Sequence, residues 1–174
     1  MISISPLASL PTQRVIVGVG EISVSNSPAV VLSTYGLGSC VAVIAFDPET
    51  HAGGMLHLML PVSRVSPEKA VFQPAMFADT GLPELFRGLQ ALNCDPARFR
   101  IFVAGGATVL CTNDAFKIGQ RNVEATTAFL AAKGHTIHHS AVGGALNRTI
   151  HFHLGTGAIT IKTPTSSSIL QITS

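Results

Sequence analysis

Apolar residues alternate with polar or small residues from Arg14 onward, and this period of two is typical of β-strands. Three short runs follow one another closely, separated by Gly20-Glu21 and by a turn at residues 26–28. The runs cover residues 15–19, 22–24 and 29–32. Strands this short and this close together predict hairpins or a meander.

Two longer apolar segments come next, and a turn-like stretch separates them. Residues 41–46 are typical of a buried strand, Asp47-Pro48-Glu49-Thr50 of a turn, and residues 53–60 of a returning strand. An antiparallel pairing about that turn would bring Cys40, just before the first strand, close to residues 57–61 at the far end of the second. The centre of the chain is therefore predicted to be a β-hairpin.

Helical periodicity occurs at two places in the second half of the chain. Leucine and phenylalanine recur at helical spacing over residues 82–92, with Pro83 tolerable in a first turn. A second helix is predicted from Ile118 up to Gly134, which is a natural residue just past a helix C-terminus. Residues 62–72 are predicted to be a mixed loop. Further strands are predicted over residues 98–103, 135–142, 148–154 and 158–162. Many strands and two main helices, unevenly placed, predict an α+β fold with mixed or antiparallel sheets.

The composition favours one folded domain. The chain has 174 residues, of which 47% are hydrophobic and 11% charged, so it can bury a core but is too short to divide comfortably into two domains. Residues 1–12 contain serine and proline but show no period. We therefore expect a loose leader over residues 1–12 and a single domain over residues 13–174.

Charge, hydropathy and cysteine content argue against several classes of protein. The net charge is only +2 and the 11 lysines and arginines are scattered, which gives no basic patch for nucleic acid. The apolar runs are far shorter than the roughly 18 residues of a membrane-spanning helix, and the N-terminus does not resemble a secretory signal. Three cysteines without close pairing are typical of a reducing compartment. We expect a cytoplasmic protein with no membrane insertion and no nucleic-acid partner.

Cys40 and His57 are candidates for a nucleophile and its base. Cys40 follows a glycine-rich turn, where the backbone N–H groups of Ser39 and Cys40 could converge on an oxyanion. The predicted hairpin would bring His57 beside it, and the hydroxyl of Thr34, just upstream, could orient the imidazole. A thiol becomes largely thiolate at neutral pH only beside a positive influence such as a protonated histidine. The alternative is a structural cysteine, since free cysteine is among the most buried residue types.

The other histidines and cysteines show no metal-ligand spacing. His51 could rival His57 as the base, but it falls in the predicted turn, where exposure to solvent is expected. Zinc sites need three or four ligands, and neither a C-x-x-C nor an H-E-x-x-H spacing is present. We expect no metal and no cofactor, and we interpret Cys94 and Cys111 as structural. The remaining histidines weighed as ligands are His135, His138, His139, His151 and His153.

A series of short motifs lies in order between Val17 and Lys162. They are Leu37-Gly38-Ser39-Cys40-Val41-Ala42-Val43, Asp47-Pro48, Gly53-Gly54-Met55, His57-Leu58-Met59-Leu60-Pro61, Phe77-Ala78-Asp79-Thr80, Gly105-Gly106-Ala107, Ile118-Gly119-Gln120-Arg121-Asn122-Val123, Val142-Gly143-Gly144, Thr156-Gly157 and Ile161-Lys162. Together they resemble the CheD family of chemoreceptor glutamine deamidases. The resemblance implies a compact α+β fold of packed sheets flanked by helices, related to the catalytic domain of a deamidating bacterial toxin. This chain departs from the family at Phe77, where tyrosine is frequent, and in the loop at residues 109–117.

The resemblance implies a cysteine hydrolase that converts receptor glutamines to glutamates through a thioester intermediate and releases ammonia. The family's nucleophile falls on Cys40, its base on His57 and its third member on Thr34. The implied substrates are the cytoplasmic domains of methyl-accepting chemoreceptors, and a further implied partner is the chemotaxis phosphatase CheC. Two alternatives stay open at this point. The chain could act mainly as a regulatory module that docks to CheC, or it could hydrolyse receptor methyl esters at the same site.

Overall fold

Ten β-strands and three α-helices make up the described part of the chain, which is residues 11–108 and 116–173 of a computed structural model. The strands are β1 (Gln13–Ile16), β2 (Glu21–Ser25), β3 (Val30–Leu37), β4 (Val41–Asp47), β5 (Ala52–Leu58), β6 (Arg100–Gly105), β7 (Ile137–Val142), β8 (Arg148–His153), β9 (Ala158–Lys162) and β10 (Ser167–Gln171). The helices are α1 (Pro67–Phe72), α2 (Ala78–Gln90) and α3 (Ile118–Ala132). Residues 1–10 of the expected leader, and Cys111, lie outside the described residues.

The strands form two five-stranded sheets of mixed direction. The first sheet has the strand order β1-β3-β8-β9-β10, and the second has the order β2-β5-β4-β6-β7. Each sheet contains one parallel pair, β1 with β3 and β6 with β7, while the other neighbours are antiparallel. The α+β fold with mixed or antiparallel sheets that the sequence predicts is confirmed.

The hairpins or meander predicted for the first three strands are wrong. β1 runs parallel to β3, whereas β2 lies in the other sheet and pairs with β5. Between β1 and β2 the chain crosses from the first sheet to the second. Val17 is buried and its N–H donates to the carbonyl of Ser33 in β3, and Gly20, with a φ of 74°, turns the chain into β2. Strands of four or five residues specify their partners weakly, so packing between the sheets decides the pairing.

The β4–β5 hairpin predicted at the centre of the chain is confirmed. Val41 pairs with Leu58 and Asp47 pairs with Ala52, so the two strands run antiparallel along their full length. β4 is buried at every position because both of its faces are covered. Its odd-numbered residues 41, 43 and 45 join a core beneath the helices, and its even-numbered residues 42, 44 and 46 join a core between the two sheets.

The helices cover only one face of the second sheet. α2 directs Leu82, Leu85 and Leu89 into the core that it shares with β4 and β5, and α3 adds Leu130 to the same core. The first sheet covers the opposite face. The layers therefore follow one another as helices, second sheet and first sheet. No helix within the described ranges is both long enough and apolar enough to cross a membrane.

Three local features differ from the sequence prediction. α2 begins at Ala78, ahead of the predicted start at residue 82, so Pro83 lies in the helix interior and not in its first turn. The predicted loop at residues 62–72 contains α1, which buries none of its side chains and therefore shows no amphipathic pattern. β10 was not predicted because its residues, Ser167–Gln171, are mostly exposed and carry no clear alternation of apolar and polar residues.

Candidate active site

Thr34 and His57 meet in the space between the two sheets. Thr34 shares one face of β3 with Val30 and Leu32, which belong to the core between the sheets. His57 shares a face of β5 with Met55, a member of the same core. Alternate residues of a strand share a face, so the two side chains approach each other from opposite sheets. Thr34 is 0% exposed and His57 is 2% exposed, which shields their contact from water.

Two successive hydrogen bonds fix the His57 ring. The Thr34 hydroxyl donates to the main-chain carbonyl of Val17 at 2.8 Å, and its oxygen lies 2.8 Å from Nδ1 of His57. A hydroxyl has one proton to give, and Thr34 gives it to Val17, so the Thr34 oxygen accepts the proton of Nδ1. The tautomer inferred from this network carries the proton on Nδ1 and leaves the lone pair on Nε2.

Nε2 of His57 is buried and has no hydrogen-bond partner among the described residues. Burial lowers the pKa of His57 below its ordinary value of 6.5, while the carbonyl of Val17 and the charge of Glu21 act in the opposite direction. Glu21 has this influence because it lies directly opposite His57 in the β2–β5 pairing. The ring is therefore neutral at pH 7, and its free lone pair is available to take a proton.

Cys40 stands immediately before β4, diagonally across the hairpin from His57. Ala42 pairs with His57, and Cys40 is two residues back along the same face. Diagonal neighbours of this kind are roughly 7–8 Å apart, within reach of an imidazole ring. The thiol is half-buried, and desolvation raises its pKa above 9.0, slightly offset by its own backbone amide. Its sulfur makes no hydrogen bond to Nε2 in this structure, so the free protein holds a neutral thiol beside a neutral imidazole.

The turn that carries Cys40 is held from behind by the glycine-rich segment after β6. The carbonyl of Gly38 accepts from the N–H of Ala107, and the carbonyl of Cys40 accepts from the N–H of Gly106, each at 2.8 Å. Gly105 has a φ of 106°, and a Cβ at this position would overlap the Cys40 carbonyl oxygen. Only glycine allows the two backbone segments to approach this closely.

Asn122 of α3 holds the peptide unit between Ser39 and Cys40. The carbonyl of Ser39 accepts a hydrogen bond from Nδ2 of Asn122 at 2.9 Å. In a trans peptide the C=O and N–H groups point in opposite directions, so the N–H of Cys40 points away from Asn122. That N–H lies beside the Cys40 thiol, whose pKa it lowers. The backbone of the turn is therefore oriented by partners outside the turn.

The other candidate residues lie apart from this cluster. His51 is exposed in the β4–β5 turn and has a φ of 52°. His151 forms a separate buried pair, with Nδ1 2.9 Å from the hydroxyl of Ser33. Cys94 is buried, with its sulfur 3.5 Å from the hydroxyl of Thr50. Over residues 11–108 and 116–173, no three histidine, cysteine, aspartate or glutamate side chains gather as a metal ion would require.

Three groups around the site were missed by sequence reasoning. The carbonyl of Val17 gave no signal, because a main-chain group carries no residue identity. Glu21 is brought to His57 by the β2–β5 pairing, which the sequence did not predict. Asn122 lies in the motif Ile118–Val123, which contributed to the family resemblance, but nothing in that motif indicated a contact with the turn at Ser39.

Comparison with known proteins identifies the family. Residues 59–163 match the family model described as CheD chemotactic sensory transduction. The chain belongs to the CheD family, and the resemblance inferred from the sequence motifs is confirmed. The matched residues begin after His57, so this match does not rest on Thr34, Cys40 or His57.

Curated relatives are similar to this chain over most of its length. A protein of Anaeromyxobacter dehalogenans, named "Probable chemoreceptor glutamine deamidase CheD 2", is 40% identical over 148 residues, which is 85% of this chain and 93% of the relative. A protein of Syntrophus aciditrophicus, named "Probable chemoreceptor glutamine deamidase CheD 1", is 38% identical over 85% of this chain and 92% of its own. A third, from Syntrophotalea carbinolica and named "Probable chemoreceptor glutamine deamidase CheD", is 40% identical over 86% of this chain and 93% of its own.

Proposed function

We propose that the protein is a chemoreceptor glutamine deamidase, which hydrolyses the side-chain amides of receptor glutamines to glutamates and releases ammonia. The observation that carries the proposal is the state of His57, whose Nδ1 is engaged by Thr34 while its buried Nε2 has no partner among the described residues. An unpaired buried polar group costs about 1–3 kcal/mol. This nitrogen can accept a proton from the neighbouring Cys40 thiol, and the names of the relatives support a receptor glutamine as the substrate.

In the proposed mechanism Cys40 is the nucleophile and His57 is the general base. The sulfur of Cys40 attacks the carboxamide carbon of a bound glutamine, and the thiol proton passes to Nε2 of His57. Protonated His57 then gives this proton to the amide nitrogen, which leaves as ammonia, and the acyl group remains on sulfur as a thioester. His57 next takes a proton from water, whose oxygen attacks the thioester carbon. Glutamate leaves, and the proton returns to the sulfur.

Because Cys40 and His57 are both neutral in the free protein, the thiol proton is transferred during the reaction. Burial raises the pKa of Cys40 and lowers that of His57, so proton transfer accompanies the attack and does not precede it. Rotation of the Cys40 side chain brings sulfur and Nε2 together, and catalytic hydrogen bonds commonly tighten only when substrate is present. Thr34 keeps the reactive tautomer but is uncharged, so it stabilises the imidazolium less than a carboxylate would. We therefore expect modest turnover.

The backbone N–H groups of Ser39 and Cys40 are the proposed donors to the oxyanion of the tetrahedral intermediate. The carbonyls of the same two peptide units, Gly38 and Ser39, are bonded to Ala107 and to α3 on the other side of the turn. Since N–H and C=O oppose each other in a trans peptide, both N–H groups point away from those partners. One such donor is typically worth about 3–4 kcal/mol in the transition state.

The proposed substrates are the cytoplasmic domains of methyl-accepting chemoreceptors, which places the reaction in the cytoplasm. No cofactor is needed, because the thiol, the imidazole and water supply every step. Docking to the phosphatase CheC is proposed as a second interaction of the same protein. Two alternatives would replace the deamidase proposal if the experiment below supported them. The protein would then act mainly as a CheC-binding module, or it would hydrolyse receptor methyl esters with the same residues.

The test is to incubate a purified chemoreceptor cytoplasmic domain with the protein and to measure ammonia together with the intact mass. Deamidation adds about one mass unit per glutamine, whereas ester hydrolysis removes about fourteen, as the bond chemistry requires. We expect the gain of one unit, its loss in Cys40→Ala and His57→Ala, and its retention in Cys94→Ala. Full activity of Cys40→Ala would overturn the proposal. A loss of about fourteen units would assign ester hydrolysis, and CheC binding with no mass change would assign a binding module.

A further inference from the structure

Asn122 is a fully buried polar residue that links the segment of the nucleophile to the segment of the base. It lies on α3 and is 0% exposed. Its Nδ2 donates to the carbonyl of Ser39 at 2.9 Å and to the carbonyl of Met59 at 2.8 Å. Ser39 directly precedes Cys40, and Met59 is two residues beyond His57. One side-chain amide therefore holds both halves of the site.

The orientation of the Asn122 amide follows from its two acceptors. An NH₂ group has two hydrogens, and here each is given to a different main-chain carbonyl. If the amide were turned over, Oδ1 would face two carbonyl oxygens and both hydrogen bonds would be lost. No other neutral side chain of this size can donate two hydrogen bonds from one atom. Asparagine is therefore required by the chemistry of the contact.

The hydrogen bonds of Asn122 reach segments outside α3, while the other half of its amide is unpaired among the described residues. Its Oδ1 is buried without a hydrogen-bond partner among the described residues, which is unfavourable by itself. α3 also lies close against the glycine-rich segment after β6, where a Cβ at Gly119 would lie 2.6 Å from the carbonyl oxygen of Gly106. A buried asparagine with half of its hydrogen-bonding capacity unused is better explained by what its other half holds in place.

We propose that Asn122 is a positioning residue that aligns Cys40 with His57. Through Ser39 it sets the peptide unit whose N–H belongs to Cys40, and through Met59 it holds the end of β5 two residues from His57. The distance between the sulfur and Nε2 depends on both segments, so one amide controls their alignment. This inference rests on the proposed function, since alignment matters only if the two groups react together.

Two variants test the proposal, with a matched control on the same helix. Asn122→Ala removes both hydrogen bonds. Asn122→Asp keeps the volume but sets a carboxylate oxygen against the two carbonyls. The control is Thr126→Val, because Thr126 is also 0% exposed on α3, its hydroxyl has no partner among the described residues, and it donates to neither active-site segment. Three properties are measured for each variant: steady-state deamidation, melting temperature and the rate at which iodoacetamide labels Cys40. Peptide mass spectrometry resolves the labelling at Cys40 from that at the other cysteines.

We expect both Asn122 variants to lose about ten- to a hundredfold in kcat, the scale expected when reacting groups are displaced by about 1 Å. KM should stay within about threefold, because Asn122 is fully buried and cannot contact the substrate itself. Labelling of Cys40 at neutral pH should slow, since the thiol is no longer aligned with its base. Thr126→Val should match the wild type in all three measurements.

Three results would overturn the positioning role. The first is a folded Asn122→Asp variant with kcat within about twofold of the wild type. The second is an equal loss in Thr126→Val, which would assign the effect to burial in α3. The third is failure of both Asn122 variants to fold, which would assign Asn122 to the stability of the fold.

The labelling rate also separates this inference from the proposed function. If the wild type releases no ammonia while the labelling rate still depends on Asn122, the positioning role of Asn122 is supported and the proposed deamidase function is refuted.

Discussion

The hydroxyl of Thr34 lies 2.8 Å from Nδ1 of His57 and gives its own proton to the carbonyl of Val17. This relationship sets the tautomer of His57 without any charged group. Because the Thr34 oxygen can only accept from the ring, Nδ1 keeps its proton and Nε2 keeps its lone pair. In the proposed mechanism, this neutral chain of three groups takes the orienting role that a carboxylate has in a Ser-His-Asp triad.

Replacing Thr34 with valine should lower kcat/KM without removing all activity. Thr34→Val keeps the shape of the side chain but leaves Nδ1–H without its acceptor, so the reactive tautomer is no longer favoured. We expect a loss of about ten- to a hundredfold, which is less than the roughly 10²–10⁴ that a general base itself contributes. Initial rates of ammonia release measure it. Thr34→Ser, which keeps the hydroxyl, should recover most of the rate, and equal activity in Thr34→Val and wild type would refute the orienting role.

The pH dependence of the reaction should have its acidic limb at an unusually low pH. His57 must be neutral to accept a proton, and burial lowers its pKa below 6.5, so kcat/KM should fall only as the pH drops below that value. On the alkaline side the rate should hold up to about pH 9, because burial raises the pKa of Cys40. A profile of kcat/KM from pH 5 to 9 measures this. A rate that declined between pH 6 and 8 would instead indicate a thiolate–imidazolium pair.

Glu21 should tune the position of that acidic limb. Its charge raises the pKa of His57, so Glu21→Gln should move the midpoint to a lower pH. The glutamine keeps an oxygen for the hydrogen bond from the N–H of Gly18, which holds the turn before β2. Comparison of the two profiles measures the shift. Glu84→Gln, which removes a carboxylate on α2, is the control and should leave the midpoint unchanged, whereas an equal shift in both variants would exclude a specific effect of Glu21.

The hairpin at the centre of the chain was predictable because its information is local. β4 and β5 are adjacent in sequence, their apolar segments are long, and the turn between them sets the register. The approach of Cys40 to His57 follows from that register alone. The parallel pairing of β1 with β3 and the pairing of β2 with β5 depend on contacts between the two sheets. Residue patterns within such short strands do not encode those contacts.

The same distinction separates the parts of the site that were predicted from those that were not. Thr34, Cys40 and His57 belong to one continuous stretch and to one family resemblance. The carbonyl of Val17 reaches Thr34 only because the chain crosses between the sheets at that point. Asn122 reaches Ser39 across 83 positions of sequence. Long-range contacts from a backbone group or a single amide leave no periodic pattern, so only the folded chain reveals them.

Gly105 should be irreplaceable for activity. It has a φ of 106°, and a Cβ in Gly105→Ala would overlap the carbonyl oxygen of Cys40, so the turn that carries Cys40 must move. We expect a loss of kcat of at least about a hundredfold, since displacing reacting groups by about 1 Å can cost that much. Gly134→Ala is the matched control. Gly134 also has a positive φ, of 75°, but a Cβ there meets nothing within 4 Å.

The control separates backbone strain from displacement of the site. Gly134→Ala should lower the free energy of unfolding by about 1 kcal/mol, the usual strain of a non-glycine residue in that conformation, and should keep its kcat. Urea unfolding and ammonia release measure the two effects. If Gly105→Ala loses stability but no more activity than Gly134→Ala, then the segment after β6 does not hold Cys40 in its reactive position.

Asp47 should stabilise the fold without affecting the reaction, because it lies at the end of β4 opposite to Cys40. Its buried carboxylate accepts two hydrogen bonds from Arg98, at 3.0 and 2.7 Å, which hold its pKa at about 2. The folded pKa is lowered, so the stabilisation is complete above the ordinary value of 3.8 and disappears as the pH falls toward 2.

Asp47→Asn should lower the free energy of unfolding by about 1–2 kcal/mol at pH 7, less than the full pKa shift implies because Arg98 is partly exposed. Urea unfolding of both proteins at pH 7 and pH 3 measures this, and the difference should shrink at pH 3. Glu49→Gln, which removes an exposed partner of Arg98, should change stability by less than about 0.5 kcal/mol. A difference that did not depend on pH would show that the carboxylate charge is not the source of the stabilisation.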